Sequence, residues 1–490
     1  MTIVRSSDQL FVGGRWVDPL GPGRIEVVSP LSEAVLASVP EAGPADADLA
    51  VAAARAAVDR GPWPRMPVAE RIEVLREFGR RYHAGVDDMA ALITAEIGSP
   101  ITFSRLAQST APAFMIDTLL DLAARHPWEE RRPTMTGGES VVRRLPVGVV
   151  AAILPWNVPQ VVLMSKLIPA LVAGCSIVVK PAPESPLDAF LVAELLGGCG
   201  VPEGVVSVLP GGRELGEHLV RHPEVDKVAF TGSTAAGRRI GELCGAQVKR
   251  VSLELGGKSA AIVLDDADLS RTAQGLRFAS FLNSGQACAA QTRVLAPRRR
   301  YAEVVDALAA MVDDLVVGPP EDEATEVGPL VSRRQQQRVA DYIEVGLAEG
   351  ARAVVGGTGM PAGLDQGWFV RPTLFVDVDN AMRVAREEIF GPVVVVIPYD
   401  DDDEAIALAN DSDFGLAGSV WTADRDRGLA VAGRVRTGTT GVNHYGADFG
   451  SPFGGFKASG IGREYGPEGL DEFVELQSIS LLPRARPRPA

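Results

Sequence analysis

Short apolar runs alternate with amphipathic stretches through the middle of this chain. Val147-Gly148-Val149-Val150-Ala151-Ala152-Ile153-Leu154, Ser176-Ile177-Val178-Val179, Val205-Val206-Ser207-Val208 and Lys227-Val228-Ala229-Phe230 are of strand length, and a helical pattern over 161–173 fills the first gap. Strands apolar on both faces and separated by helices predict a parallel, doubly wound sheet, with a dinucleotide bound outside the strands' carboxyl ends. Ahead of them, residues 11–17 around Gly13-Gly14 read as a hairpin, and a second strand pair is expected before Pro44. Alanine-rich helix formers over 46–58 and a longer helical pattern over 69–96 predict a helical layer on that sheet. After Leu255 a second alternating region runs from Ala260-Ala261-Ile262-Val263 to about residue 442 and includes Val393-Val394-Val395-Val396-Ile397, which predicts a separate α/β domain. Residues 139–144 and 475–481 read as strands, charged outside and apolar between.

Composition narrows the class. With 490 residues the chain is too long for one ordinary core and should divide into two or three domains. Hydrophobic residues at 46% and charged residues at 23% are those of a soluble globular protein. The net charge of −15 repels phosphate backbones, so no nucleic-acid partner is expected. Arg484, Arg486 and Arg488 form one local basic cluster, read as a solvated terminus. The most apolar region, 145–179, is broken by Pro155, Pro159, Lys166 and Pro169, and the N-terminus lacks the apolar core of a signal peptide, so no membrane partner is expected. Cys175, Cys199, Cys244 and Cys288 show neither disulfide-scaffold density nor C-x-x-C spacing, which fits a reducing, cytoplasmic setting. His218 and His222 are four apart but have no partner completing a zinc pattern, and His444 reads as a loop residue, so no metal site is expected.

The candidate chemistry begins at Cys288. It follows a turn-forming Asn283-Ser284-Gly285 and precedes Ala289-Ala290, a setting for an accessible nucleophile whose pKa nearby backbone N–H groups would lower. A packing cysteine is the competing reading. Upstream, Glu254 ends the apolar run Val251-Ser252-Leu253 and is either a solvated strand end or a general base raised by apolar surroundings. Asn157, in Leu154-Pro155-Trp156-Asn157-Val158-Pro159, either caps a turn or presents its amide to a ligand. No G-x-G-x-x-G is present. Phe230-Thr231-Gly232-Ser233 instead leaves a strand and opens a helix, where N–H groups can meet a pyrophosphate or a hydroxyl can simply cap. Gly256-Gly257-Lys258-Ser259 lacks the earlier glycine of a P-loop, since position 252 is serine.

Taken together, Phe281-x-Asn283-x-Gly285-Gln286-x-Cys288 and Glu254-Leu255-Gly256-Gly257-Lys258 resemble the two signatures of the NAD(P)-dependent aldehyde dehydrogenase superfamily, at that family's usual separation. The resemblance extends from Phe11-Val12-Gly13-Gly14-Arg15-Trp16 to Pro452-Phe453-Gly454-Gly455-Phe456-Lys457-Ala458-Ser459-Gly460. It implies an α/β fold with a Rossmann-type dinucleotide-binding domain over 1–124 and 146–255, and a catalytic domain over 256–457. Residues 125–145 and 458–490 would form a small β oligomerisation arm and tail, hence a homodimer or homotetramer. It implies Cys288 as nucleophile, Glu254 as base, the Asn157 amide and the Cys288 backbone N–H as oxyanion donors, and Lys166 near the active centre. For the dinucleotide it implies Lys180 at the adenosine ribose, Gly212 and Gly216 as close-approach positions, and Ser233 at the phosphates beyond Phe230 and Gly232. Glu388 would anchor the nicotinamide ribose beside Phe390, with Trp156, Leu255 and Gly256 completing the site.

Two departures matter. Many family members carry a glutamate three residues after the ribose lysine, where this chain has Pro183 followed by Glu184. That loss removes a hydrogen bond favouring NAD and a repulsion excluding the 2′-phosphate of NADP. Glu184 is expected to substitute, so NAD is the expected cofactor and NADP the alternative. Ser165 and Leu282 stand where bulky aromatics are common, which predicts a roomy apolar tunnel and a medium or bulky hydrophobic aldehyde, oxidised to the acid through a cysteine thiohemiacetal and thioester. The competing readings are a coenzyme A-acylating dehydrogenase, which commonly lacks the carboxylate found here at Glu254, and a non-catalytic protein on the same fold.

Overall fold

The computed structural model describes residues 7–135, 137–446 and 448–482. Arg484, Arg486, Arg488 and the start of the N-terminus lie outside them.

Two α/β layers and a small arm make up the chain. In the first sheet, strands Val206–Val208, Ser176–Lys180, Val149–Ile153, Lys227–Thr231 and Arg250–Glu254 run parallel in that order. The first four are wholly buried, as continuous apolar runs covered on both faces must be. The fifth, Arg250–Glu254, for which the sequence offered a strand end at Glu254 as one of two readings, is exposed or half-buried over its first three residues. It pairs in register with its neighbour, so Thr231 and Glu254 are level at the carboxyl edge. The hairpin of Leu10–Val12 and Arg15–Val17 adds two antiparallel strands at the far edge.

The helical pattern over 69–96 is two helices, Val68–Ala84 and Val86–Ile97, divided at Gly85, whose N–H turns back to Tyr82 O at 3.0 Å. Helix Pro159–Ala173 is buried along almost its whole length beneath the first sheet, which fixes Asn157 just ahead of it. The second sheet orders as Arg352–Val355, Thr373–Val376, Val393–Tyr399, Arg293–Pro297, Ala260–Val263, Gly418–Trp421 and Gly441–Val442, all parallel except the first.

The arm is a three-stranded antiparallel sheet of Val474–Leu481, Glu139–Pro146 and Glu129–Pro133. Residues 458–473, expected with the arm, pack elsewhere. Gly460–Ile461 pairs with Leu253 and Glu254 as the last strand of the first sheet, and Tyr465, Leu470 and Phe473 join its core. Among the described residues no helix is long and apolar enough to cross a membrane, and no group of three His, Cys, Asp or Glu could hold a metal ion.

Candidate active site

The carboxyl edge of the first sheet meets one strained turn of the second layer at Cys288. Asn283, Ser284 and Gly285 are all left-handed, with φ of 49°, 58° and 74°. For residues other than glycine that conformation costs about 1–2 kcal/mol each, so neighbours must hold it. Asn283 Nδ2 donates to Asn157 O at 2.8 Å. Ser284 Oγ donates to Gly328 O at 3.1 Å and accepts from Gly328 N at 3.0 Å. Gln286 Oε1 accepts from Val331 N at 3.0 Å, and Gln286 O accepts from Asn157 Nδ2 at 2.9 Å. At 285 only glycine fits, because a Cβ there would stand 2.2 Å from Gly391 O.

Glu254 reaches the same point through two further glycines. A Cβ on Gly257 would lie 2.3 Å from Cys288 O, and one on Gly256 would lie 2.5 Å from Glu388 Oε2. The backbone after Glu254 therefore lies flat against the nucleophile's own peptide on one side and Glu388 on the other. Glu388 Oε1 accepts from Gly257 N at 3.0 Å.

The electrostatics of this centre run against one expectation. Burial pushes the half-buried Cys288 thiol well above its ordinary range, and the charges of Glu254 and Glu388 push it further. No helix starts at Cys288 to oppose them, so the resting group is a thiol that needs a base. Glu254, within electrostatic reach of it, is pushed up to about 8, first by burial and then by the charge of Glu464. Its Oε1 has no partner among the described residues. Lys166 stands behind the carboxylates. Buried in helix Pro159–Ala173, its Nζ donates to Thr231 Oγ1 at 2.8 Å and pairs with Glu464, so it acts on Glu254 through space.

A cavity of about 1340 Å³ joins these groups. Cys288, Glu254, Asn157 and Glu464 line it together with Phe103, Leu106, Val158, Val161, Val162, Phe278, Leu282, Phe449 and Phe453. Leu282 thus lies in the tunnel wall as expected, but Ser165 does not. It is buried, its Oγ donating to Val162 O at 2.9 Å and to Glu464 Oε2 at 3.0 Å.

The residues expected at a dinucleotide divide into two groups. Trp156, Gly232, Ser233, Gly256, Glu388 and Phe390 line the cavity, with the Trp156 and Phe390 rings edge to face at 5.4 Å. Lys180, Gly212, Gly216, Phe230 and Leu255 lie outside it. Phe230 supports Gly232 from beneath, since a Cβ on Gly232 would come 2.5 Å from its ring. The Leu255 side chain packs in the core against Gly237. Lys180, at the end of its strand, is buried, and desolvation lowers its ammonium to about 8. Its Nζ donates to Gly211 O at 2.6 Å and Pro181 O at 3.0 Å, leaving one of an ammonium's three donors for a ligand. Ser233 is the exposed N-cap of helix Thr234–Ala246. A lysine with a spare donor, an open glycine edge and a helix start suit an adenosine ribose and a pyrophosphate, so these residues fit a dinucleotide.

The profile of the aldehyde dehydrogenase family matches residues 16–479. The chain belongs to the aldehyde dehydrogenase family. Aldehyde oxidation coupled to a nicotinamide dinucleotide follows with that membership. This aldehyde dehydrogenase is 46% identical over 473 residues to a geranial dehydrogenase of Castellaniella defragrans, covering 96% of this chain and 98% of that one. It is 41% identical to a 3-succinoylsemialdehyde-pyridine dehydrogenase of Pseudomonas, covering 97% and 99%. Among solved structures, a Mycobacterium tuberculosis aldehyde dehydrogenase complexed with NAD+ superposes at TM-score 0.96, with 48% identity over 99% of both chains. A mutant of Pseudomonas syringae aldehyde dehydrogenase C, complexed with NAD+ and octanal, superposes at 0.93, with 40% identity over 97% of this chain and 96% of that one.

Several residues of this aldehyde dehydrogenase's site went unread in its sequence. Glu464 sits in Gly462-Arg463-Glu464, where nothing distinguishes it from a surface glutamate until the fold sets it on Lys166. Gln108 donates to Asn157 O at 2.8 Å from a π-helical stretch, Ser104–Thr110, that has no sequence signature. Tyr445 packs with Cys288 against Ala289, Leu416 and Ala417, and burial raises its phenol.

Proposed function

We propose that the protein oxidises medium-sized or bulky hydrophobic aldehydes to carboxylic acids with NAD as acceptor. The observation that carries this reading is the cavity, in which a thiol, a raised carboxyl and an amide open onto a wall of aliphatic and aromatic side chains. The relatives named for geranial and the solved relative holding octanal support the apolar substrate class. The outer arm strand exposes Leu476, Ile479 and Leu481, which supports a homodimer or homotetramer. The free cysteines support a reducing, cytoplasmic setting. The working division into domains keeps 1–124 with 146–255, 256–457 and the arm, with 458–473 moved to the first.

Glu254, poised near 8, takes the proton of the Cys288 thiol, whose unaided ionisation burial opposes. The thiolate adds to the aldehyde carbon. The oxygen that gains charge meets the Asn157 N–H not spent on Gln286, and the Cys288 backbone N–H. Lys180, Ser233 and Glu388 would hold the dinucleotide, whose chemistry would be to accept the hydride that the adduct must lose to become a thioester. Glu254 then draws a proton from the water that cleaves the thioester, and Glu464, lining the same cavity and paired with Lys166, is placed to take it onward. Asn157→Ala will lower kcat by about 100- to 1000-fold, with a far smaller change in KM, because the amide acts on charge that develops only after attack. Steady-state kinetics on the purified variant check this.

The substrate class is tested by initial rates, followed by nicotinamide absorbance, on acetaldehyde, octanal, a branched terpenoid aldehyde and a charged semialdehyde. The largest kcat/KM is expected for the two apolar long substrates. A preference for acetaldehyde or the semialdehyde would remove the proposed class, and no reduction with any aldehyde, with or without coenzyme A, would remove the oxidation itself.

A further inference from the structure

With Pro183 three places after Lys180, the sequence offers Glu184 as the acidic residue beside that lysine. In the fold the Glu184 carboxylate is engaged elsewhere, by Arg334 Nη2 at 3.5 Å. A different carboxylate stands at the site. Glu41 follows strand Val35–Pro40, and its backbone is pinned by Glu41 N donating to Gly23 O and Ala42 N donating to Pro210 O, each at 2.8 Å. The second bond lays Glu41 against Gly211-Gly212, where helix Arg213–Arg221 begins. Glu41 Oε1 lies 3.5 Å from the place a Cβ on Gly212 would occupy, while Lys180 Nζ holds Gly211 O at 2.6 Å. Glu41 is exposed, and among the described residues no hydrogen bond engages its carboxylate.

We propose that Glu41 sets the dinucleotide preference, its carboxylate accepting the 2′-hydroxyl of the adenosine ribose and repelling the 2′-phosphate of NADP. The inference rests on reading Lys180 and Gly212 as the adenosine end of the site. A free acceptor opposite a lysine donor satisfies both hydroxyls of a ribose. The same carboxylate would face an added charge of nearly −2. Glu184 and then Glu41 favour the charged form of Lys180 against burial, which puts both carboxylates within electrostatic reach of it. Glu184 already has Arg334 at one oxygen, whereas neither oxygen of Glu41 has a hydrogen-bond partner among the described residues.

Calorimetric titration decides the matter without turnover. NAD, NADP, adenosine monophosphate and its 2′-phosphorylated analogue are titrated into wild type, Glu41→Gln and Glu184→Gln. Glu41→Gln should weaken NAD and tighten NADP, moving the ratio of their Kd values by about 10- to 100-fold towards NADP, with the two fragments following the same trend. Glu184→Gln should move that ratio less, and Glu41→Lys should invert the preference. A wild-type ratio in Glu41→Gln, or a shift carried by Glu184→Gln instead, overturns the assignment. A wild type that binds neither dinucleotide overturns it together with the proposed function, whereas an unchanged ratio in an enzyme that binds NAD overturns Glu41 alone.

Discussion

Cys288→Ala will lose dinucleotide reduction by on the order of 10⁴- to 10⁶-fold, because no other group can form the covalent adduct. Cys175, Cys199 and Cys244 are buried, so none can substitute. The fold should survive, since Cys288 is half-buried and the turn that presents it is held by Asn283, Ser284 and Gln286 rather than by sulfur. Steady-state and single-turnover rates with a good aldehyde give the loss, and a melting curve separates it from unfolding. Alkylation offers an independent reading: wild type should lose activity as one thiol is labelled, and the variant should lose that label. Reduction at the wild-type rate by Cys288→Ala would place the nucleophile elsewhere.

Glu254→Gln should lower steady-state turnover by about 100- to 10,000-fold. It should also change the shape of the pH profile. Burial and the charge of Glu464 raise the carboxyl to about 8, so at neutral pH most of it carries a proton and cannot accept another. Wild-type turnover should therefore climb as pH rises through about 8, and the glutamine variant should lack that limb. A limb that persists in the variant would assign it to another group. The same shift has a stability side. Between the ordinary carboxylate value and about 8, the folded protein binds a proton that the unfolded chain has released, so the carboxyl's contribution to stability declines as pH rises through that window. Glu254→Gln should melt no lower than wild type at neutral or alkaline pH, even as it loses activity.

The sheet was legible in the sequence because strands covered on both faces have no polar positions to obscure them, as in Val149–Ile153 and Ser176–Lys180. Arg250–Glu254 was less plain, since Arg250 is exposed and only its last two residues, those paired on both sides, are buried. The continuous pattern over 69–96 hid a break, because Gly85 is compatible with a helical register and only the turn at its N–H shows that the chain changes direction. At the candidate site, local chemistry could be read at Cys288 and Glu254, whose neighbours are glycines and small residues that announce close approach. What could not be read was anything depending on distant partners. The thiol is raised first by burial at the meeting of the two layers and further by Glu254 and Glu388, Ser165 is turned away by Glu464, and the free carboxylate near Lys180 comes from residue 41.

The three left-handed residues before Cys288 have a consequence for the folding chain. Their clasps come from position 157, from the loop at Gly328 and from Val331, segments that are distant in sequence and that meet only when both layers are docked. Until then Asn283 and Ser284 have no reason to leave the right-handed region, and Glu254 has no path to the thiol. The nascent or partly unfolded chain thus carries an ordinary cysteine with no base beside it, and the pair of nucleophile and base forms only as the last contacts close. Assembly itself acts as the safety catch on the nucleophile.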